Sequence, residues 1–170
     1  GLSIGFRAGI WNIGAEGQLL MGGLFGSYMA LQLIEVESSW VLPMVLLFGA
    51  IGGVFWAGIA ALLKVRFNTN EILTTIMMNY IALNILLWAV HGPLKDPDGF
   101  NFPESAMFSD FSLLPILIED TRIHFGLALA LLAVVAIWVL MSRSFYGFQI
   151  KVMGLDASAA RLSGFKEKRL

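Results

Sequence analysis

Apolar residues in this chain gather into four long runs separated by short polar segments, and the run lengths predict what each becomes. Val41 to Leu63 holds 23 residues without a charge, and Ile72 to Val90 holds 19. Phe125 to Met141 adds 17, and Ala8 to Ile34 makes 27 interrupted by a single charge, Glu16. Crossing about 30 Å of hydrocarbon takes roughly 20 apolar helical residues, and inside lipid a helix satisfies its own backbone within one segment. The pattern predicts an all-α, polytopic membrane protein with about four transmembrane helices, near residues 8–34, 41–63, 72–90 and 124–142. Residues 1–170 read as a single transmembrane region with a tail over 143–170. No internal repeat is detectable.

Composition agrees with this reading. The chain is 58% hydrophobic and 14% charged, whereas soluble domains carry about 45–50% apolar and about 25% charged residues. A soluble enzyme is excluded as the default. A net charge of −1 offers no basic field for nucleic acid. With no cysteine, disulfides, thiolate metal sites and a Cys nucleophile are excluded. The isolated His91 and His124 do not have the spacing of a zinc site, and no P-loop for ATP occurs. The first residues lack the pattern of a signal peptide, and the chain reads as an internal piece of a longer protein.

The charges sort by side of the membrane. Arg7, Lys64, Arg66, Arg143, Lys151, Arg161, Lys166, Lys168 and Arg169 fall on one side, while Lys95 and Arg122 fall on the other with eight carboxylates from Glu35 to Asp120. The positive-inside bias then places both chain ends and Lys64 to Glu71 in the cytoplasm, with Glu35 to Trp40 and His91 to His124 outside. The 34-residue external stretch is rich in turn formers and reads as an ordered cap at the interface.

Polar residues inside the apolar runs are the candidates for chemistry. Trp11 to Gln18 sets Asn12, Glu16 and Gln18 among the glycines Gly14 and Gly17. Non-helical backbone at membrane depth occurs where it is buried in protein or lines a cavity, and an ionisable residue there suggests a functional site. Asn12, Glu16 and Gln18 are thus candidate pathway residues on an irregular stretch. The competing reading makes Glu16 an interfacial anchor that pairs with a basic group or caps a helix. Glu71, Thr75 and Asn79 follow i, i+4, i+8 and form one polar stripe on the third span. They suit either a substrate path or hydrogen bonds between helices. Gly22 with Gly26 and Gly49 with Gly53 have the spacing that lets helices approach closely, as do Gly5 and Gly9. In the tail, Asp156 can cap a short helix that Gly164 ends. So short a helix requires docking to the bilayer surface or a cytoplasmic partner.

Four segments resemble a known family: Phe6 to Gln18 (FRAGIWNIGAEGQ), Asn70 to Tyr80 (NEILTTIMMNY), Gly92 to Asp96 (GPLKD) and Gly147 to Lys151 (GFQIK). Together they resemble the membrane permease subunits of bacterial ABC importers in the simple-sugar and nucleoside branch. NIGAEGQ is most similar to members associated with basic membrane lipoprotein receptors. The resemblance implies a multi-pass subunit of the bacterial cytoplasmic membrane that carries nucleosides or simple sugars. It also implies a second membrane permease subunit, an external substrate-binding protein, and a separate ATP-binding subunit that holds ATP and Mg. No cofactor and no ATP hydrolysis are implied for this chain. Ala159 and Ala160 followed by Gly164 match the core of the family's ATPase-coupling signature, with Ser158 where the fuller signature has Glu. Asp156, Ala159, Ala160 and Gly164 are therefore the implied coupling residues. A passive channel or an ion-coupled carrier using Glu16 as gate or proton site is the rival reading.

Overall fold

A computed structural model describes residues 2–99, 102–118, 121 and 123–156. Its helices are α1 (Leu2–Arg7), α2 (Ala15–Gln32), α3 (Val41–Phe67), α4 (Glu71–His91), α5 (Gly126–Arg143) and α6 (Phe145–Leu155), with a 3-10 turn at Asp110–Ser112. Among the described residues, α3, α4 and α5 are long and apolar enough to cross a membrane. The chain divides into two compact units, Ile13–Leu113 on the one hand and Gly1–Asn12 with Leu114–Leu170 on the other.

The first predicted span needs correction. Helix does not begin at residue 8: residues 8–14 are non-helical and α2 starts at Ala15. Glycine chemistry explains the stop. Gly9 lies at φ +75°, which an L side chain rarely adopts. The Ile10 N–H donates to the Gly5 carbonyl at 2.9 Å and the Gly9 N–H to the Phe6 carbonyl at 3.3 Å, the bond pair of a Schellman cap. Gly5 and Gly9 therefore end α1, and Gly9 also lets the chain lie against α6, where a Cβ on it would be 3.7 Å from Gly154. Starting at Ala15, α2 is 18 residues, about 27 Å long, and with Glu16, Gln18 and Gln32 it is less apolar than α3, α4 and α5.

In the Ile13–Leu113 unit, α2 packs on α3 through a seam of glycines. A Cβ on Gly22 would lie 2.9 Å from the Gly49 carbonyl oxygen, and one on Gly49 would lie 3.3 Å from the Gly22 oxygen. Gly26 extends the seam towards Val45, and Gly53 meets the carbonyl of Gln18. Both small-residue pairs thus serve this one crossing, where missing side chains let backbones touch. Beside it, Met21, Trp56, Met78 and Ala82 form the buried core, with Leu24, Phe25 and Ile85 packed against them.

Two asparagines shape the turn between α3 and α4. Asn68 sits in the left-handed region at φ 51° and donates its N–H to the Lys64 carbonyl at 2.9 Å, a conformation Asn tolerates better than most residues. Asn70 caps α4, its Oδ1 accepting from the N–H groups of Ile72 at 3.0 Å and Leu73 at 3.3 Å. Lys64 and Glu71 close the turn as an ion pair at 2.6 Å.

In the other unit, Ser144 ends α5 and starts α6. Its hydroxyl donates to the Leu140 carbonyl at 2.6 Å and accepts from the Gly147 N–H at 3.0 Å. The sharp turn demands glycine at 147, since a Cβ there would strike the Leu140 carbonyl and the Met141 backbone. Gly154 packs equally tightly on the Arg7 carbonyl at the end of α1. The external stretch is locally ordered: the Asp96 N–H donates to the Glu104 carbonyl at 2.9 Å, and Leu117 to Ile123 at 2.8 Å.

Candidate functional site

The polar stripe of α4 meets the broken start of α2. Gly14 occupies the N-cap position of α2 and has no side chain to offer the first-turn N–H groups. Asn79 supplies the missing acceptor from α4, its Oδ1 accepting from the Gly17 N–H at 2.8 Å. The same carboxamide donates through Nδ2 to the Ile13 carbonyl at 3.0 Å. One turn earlier, Thr75 Oγ1 accepts from the Ile13 N–H at 3.2 Å while donating to the Glu71 carbonyl at 2.7 Å. Asn79 thus ties the last residues of the break to the first turn of α2, and Thr75 adds a second bond to Ile13.

The fit is close. Gly17 is buried, and a Cβ on it would lie 2.8 Å from Asn79 Oδ1 and 3.1 Å from the indole nitrogen of Trp56. The buried Trp56 N–H has no acceptor among the described residues, so no spare partner exists there for Gly17.

The predicted site residues therefore separate. Thr75 and Asn79 come together with Ile13 and Gly17. Glu71 does not join them, since it turns to Lys64. Asn12 lies outside the helix, so it does not share a helical face with Glu16. Glu16 is exposed in the first turn of α2, where the N-terminal end of the helix dipole favours a carboxylate. Gln18 is half-buried one turn in. Asp156 follows α6, its N–H donating to the Val152 carbonyl at 3.0 Å. Ala159, Ala160, Gly164 and the helix expected from 157 to 163 lie outside the described residues.

From the sequence, Asn84 reads as lying on another side of α4 from the Thr75 and Asn79 stripe, suited equally to substrate contact or to hydrogen bonds between helices, and the structure shows what shares that side. Thr75, Met78, Ala82 and Ala89 form its buried side. Met77, Ile81, Asn84 and Trp88 recur at i, i+4, i+7, i+11 and make a separate stripe. With Tyr80 and Ile85 they border a shallow, open hollow on the face of α4 alone, with no other element among its lining residues. A second hollow of about 400 Å³ lies between the C-terminal ends of α2 and α4, where Tyr28, Gln32 and Pro93 meet Trp88. Trp88 borders both. The sequence signal was present as tyrosine and asparagine within an apolar run.

The branched-chain amino acid transport system / permease component family matches residues 1–170. The chain is 37% identical over 168 residues to the glucose ABC transporter permease protein TsgB13 of Haloferax volcanii, covering 93% of this chain and 44% of that protein. It is 32% identical over 171 residues to the guanosine ABC transporter permease protein NupP of Bacillus subtilis, covering 99% and 48%. Similarity to the nucleoside ABC transporter permease protein NupB of Lactococcus lactis is 26% over 174 residues, covering 98% and 48%. The chain spans about half the length of these curated relatives. No solved structure matches it.

Proposed function

This chain belongs to the branched-chain amino acid transport system / permease component family, and on that premise we propose that it is the membrane subunit of an ATP-driven importer for nucleosides or simple sugars. The observation that carries the reading is the family match over the whole chain, on a fold of long apolar helices. The names of the relatives, which specify glucose, guanosine and nucleoside permeases, support the substrate class.

The subunit sits in the bacterial cytoplasmic membrane with both ends of this region and Lys64 to Glu71 inside. A second permease subunit completes the pathway, and an external binding protein delivers ligand. ATP and Mg act on a separate ATP-binding subunit, against which Asp156, Ala159, Ala160 and Gly164 dock. Asn12, Glu16 and Gln18 lie along the pathway near its inner end, where the break gives polar backbone and side chains access to ligand. Thr75 and Asn79 hold that break in place, and Glu71 anchors the inner turn. Import follows because ATP binding and ligand each favour one of two arrangements of the helices.

The test is uptake by proteoliposomes carrying the complete permease, its ATPase and its binding protein. Uptake should require ATP, and Glu16→Gln should reduce it at unchanged membrane abundance. ATP-independent uptake that follows a proton gradient and disappears in Glu16→Gln would instead establish a carrier.

A further inference from the structure

A buried donor beside the break is left unmatched. Trp56, on α3, is 7% exposed and packs with Met21, Met78 and Ala82, whose side chains offer no strong acceptor. Its indole N–H has no hydrogen-bond partner among the described residues. A donor buried without a partner costs much of the worth of a hydrogen bond, so the position calls for an acceptor in some arrangement of the helices. One stands close by. The point that a Cβ on Gly17 would occupy lies 3.1 Å from the Trp56 nitrogen and 2.8 Å from Asn79 Oδ1. Donor and acceptor thus face each other across a residue with no side chain to separate them. In this arrangement Asn79 Oδ1 accepts from the Gly17 N–H at 2.8 Å, and Nδ2 donates to the Ile13 carbonyl at 3.0 Å. All these residues belong to the Ile13–Leu113 unit.

We propose that Asn79 is a two-position latch, its carboxamide oxygen exchanging the Gly17 N–H of α2 for the Trp56 N–H of α3 as α4 shifts between its neighbours. The balance of donors puts both positions within reach. With Oδ1 on Gly17 the indole N–H is stranded, and with Oδ1 on Trp56 the Gly17 N–H is stranded. Each position therefore leaves one buried donor unmet, and the two costs largely cancel. The torsion that swings the carboxamide is soft in asparagine. The Ile13 carbonyl, released in the second position, belongs to an exposed residue and has other donors within reach. Glycine at 17 is a condition of the exchange, because a side chain there would fill the gap between oxygen and indole. In the second position the first turn of α2 loosens while α4 is tied to α3 instead. Resting on the permease reading above, ATP binding on the partner drives the exchange, so the start of α2 loosens in one half of the cycle and is held in the other.

The test uses the complete permease with its ATPase and binding protein in proteoliposomes, at rest and arrested with ATP and vanadate. Resonance Raman difference spectra, the unsubstituted assembly minus Trp56→Phe, report the Trp56 indole N–H, which should be unbonded at rest and bonded on arrest. Amide exchange of a peptide covering residues 12–19 should rise about ten-fold on arrest, the scale of one hydrogen bond. In Trp56→Phe that rise should be absent. A merely structural Trp56 gives the opposite result, because the smaller ring would loosen the packing around Gly17 and speed exchange already at rest. Absence of ATP-driven uptake of any of a panel of nucleosides and simple sugars by the unsubstituted assembly would overturn the permease reading, and the link of the latch to ATP with it. With that uptake intact, an indole signal or an exchange rate over 12–19 that is the same in both states would overturn the latch alone. A bonded indole with residues 12–19 still protected would show Oδ1 serving both donors at once, which also overturns the exchange. If Trp56→Phe fails to insert, Asn79→Leu serves as the reference: without the acceptor, the indole should stay unbonded on arrest.

Discussion

Replacing Asn79 by leucine keeps the side-chain volume and removes both bonds that bridge the start of α2, at 2.8 Å to the Gly17 N–H and 3.0 Å to the Ile13 carbonyl. Two consequences differ in size. Ile13 is exposed, so its carbonyl can find another partner, and that loss is about 0.5–1 kcal/mol. Gly17 is buried against Trp56, so its N–H is stranded at about 1–3 kcal/mol. The opening free energy of the first turn of α2 should fall by about 1–3 kcal/mol, which speeds amide exchange there about 5- to 150-fold. Hydrogen–deuterium exchange of the reconstituted protein, followed on a peptide covering residues 12–19, reads this directly. Peptides from the middle of α3 should be unchanged. Asn84→Leu is the control, because the Asn84 hydrogen bond stays within α4. Unchanged protection over 12–19 in Asn79→Leu, or an equal loss in Asn84→Leu, would refute the staple.

Other sites give sharper contrasts with simpler assays. Gly22→Ala should lower thermal stability by about 1–3 kcal/mol through overpacking, because its Cβ would meet the Gly49 carbonyl at 2.9 Å, while Gly23→Ala, with nothing within 4 Å, should be neutral or stabilising. The Lys64–Glu71 pair is partly exposed, at 38% and 22%, so a Gln/Gln double-mutant cycle by thermal unfolding should return about 1 kcal/mol or less and shrink in salt; a larger, salt-insensitive coupling would contradict it. Cysteine introduced at Ser105 should react with an impermeant reagent in intact cells, and cysteine at Asn68 should not; the reverse pattern would invert the orientation. Ala159→Glu should abolish ATPase stimulation while the subunit still inserts, and normal transport would favour a tail resting on lipid.

What the sequence revealed depended on how far apart the interacting residues lie. Apolar run length alone located α3, α4 and α5, because crossing lipid is a one-dimensional requirement. Even so, α3 continues through Lys64 and Arg66 to Phe67, past the last apolar residue of the run, since charged residues near an interface do not stop a helix. An irregular stretch was legible from Gly14, but it covers residues 8–14, and Glu16, Gly17 and Gln18, expected within it, belong to the first turn of α2; the stripe of Thr75 and Asn79 was legible from its period. The meeting of that stripe with Ile13 and Gly17 across 62 residues was not, because helix periodicity says which residues share a face and nothing about which helix that face meets. Glycine was hardest to read. Gly5 and Gly9 have the same spacing as Gly22 and Gly26, yet one pair caps a helix and the other seats a crossing. The helix α6 went unseen since Gly147 and Gly154 look like breakers until their neighbours, the α5 end and Arg7, leave no room for a Cβ.

The start of α2 depends on α4 more than on its own residues. An N-cap of serine or aspartate would satisfy the first-turn N–H groups locally, and the helix would then keep its end wherever α4 moved. With Gly14 at that position, the acceptor for Gly17 belongs to Asn79, on a different helix. A shift of α4 that stretches this contact from 2.8 Å past about 3.5 Å ends the bond. It strands a buried N–H, since Gly14 has no side-chain acceptor and the Trp56 indole N–H is itself a donor. The break and α4 therefore move together or the first turn of α2 opens. Introducing a local cap separates these alternatives: Gly14→Ser should protect the Gly17 amide from exchange even in the Asn79→Leu background. If transport uses the coupling, that double variant should regain stability without regaining ATP-driven uptake. Recovery of both would mean that Asn79 serves only to cap α2.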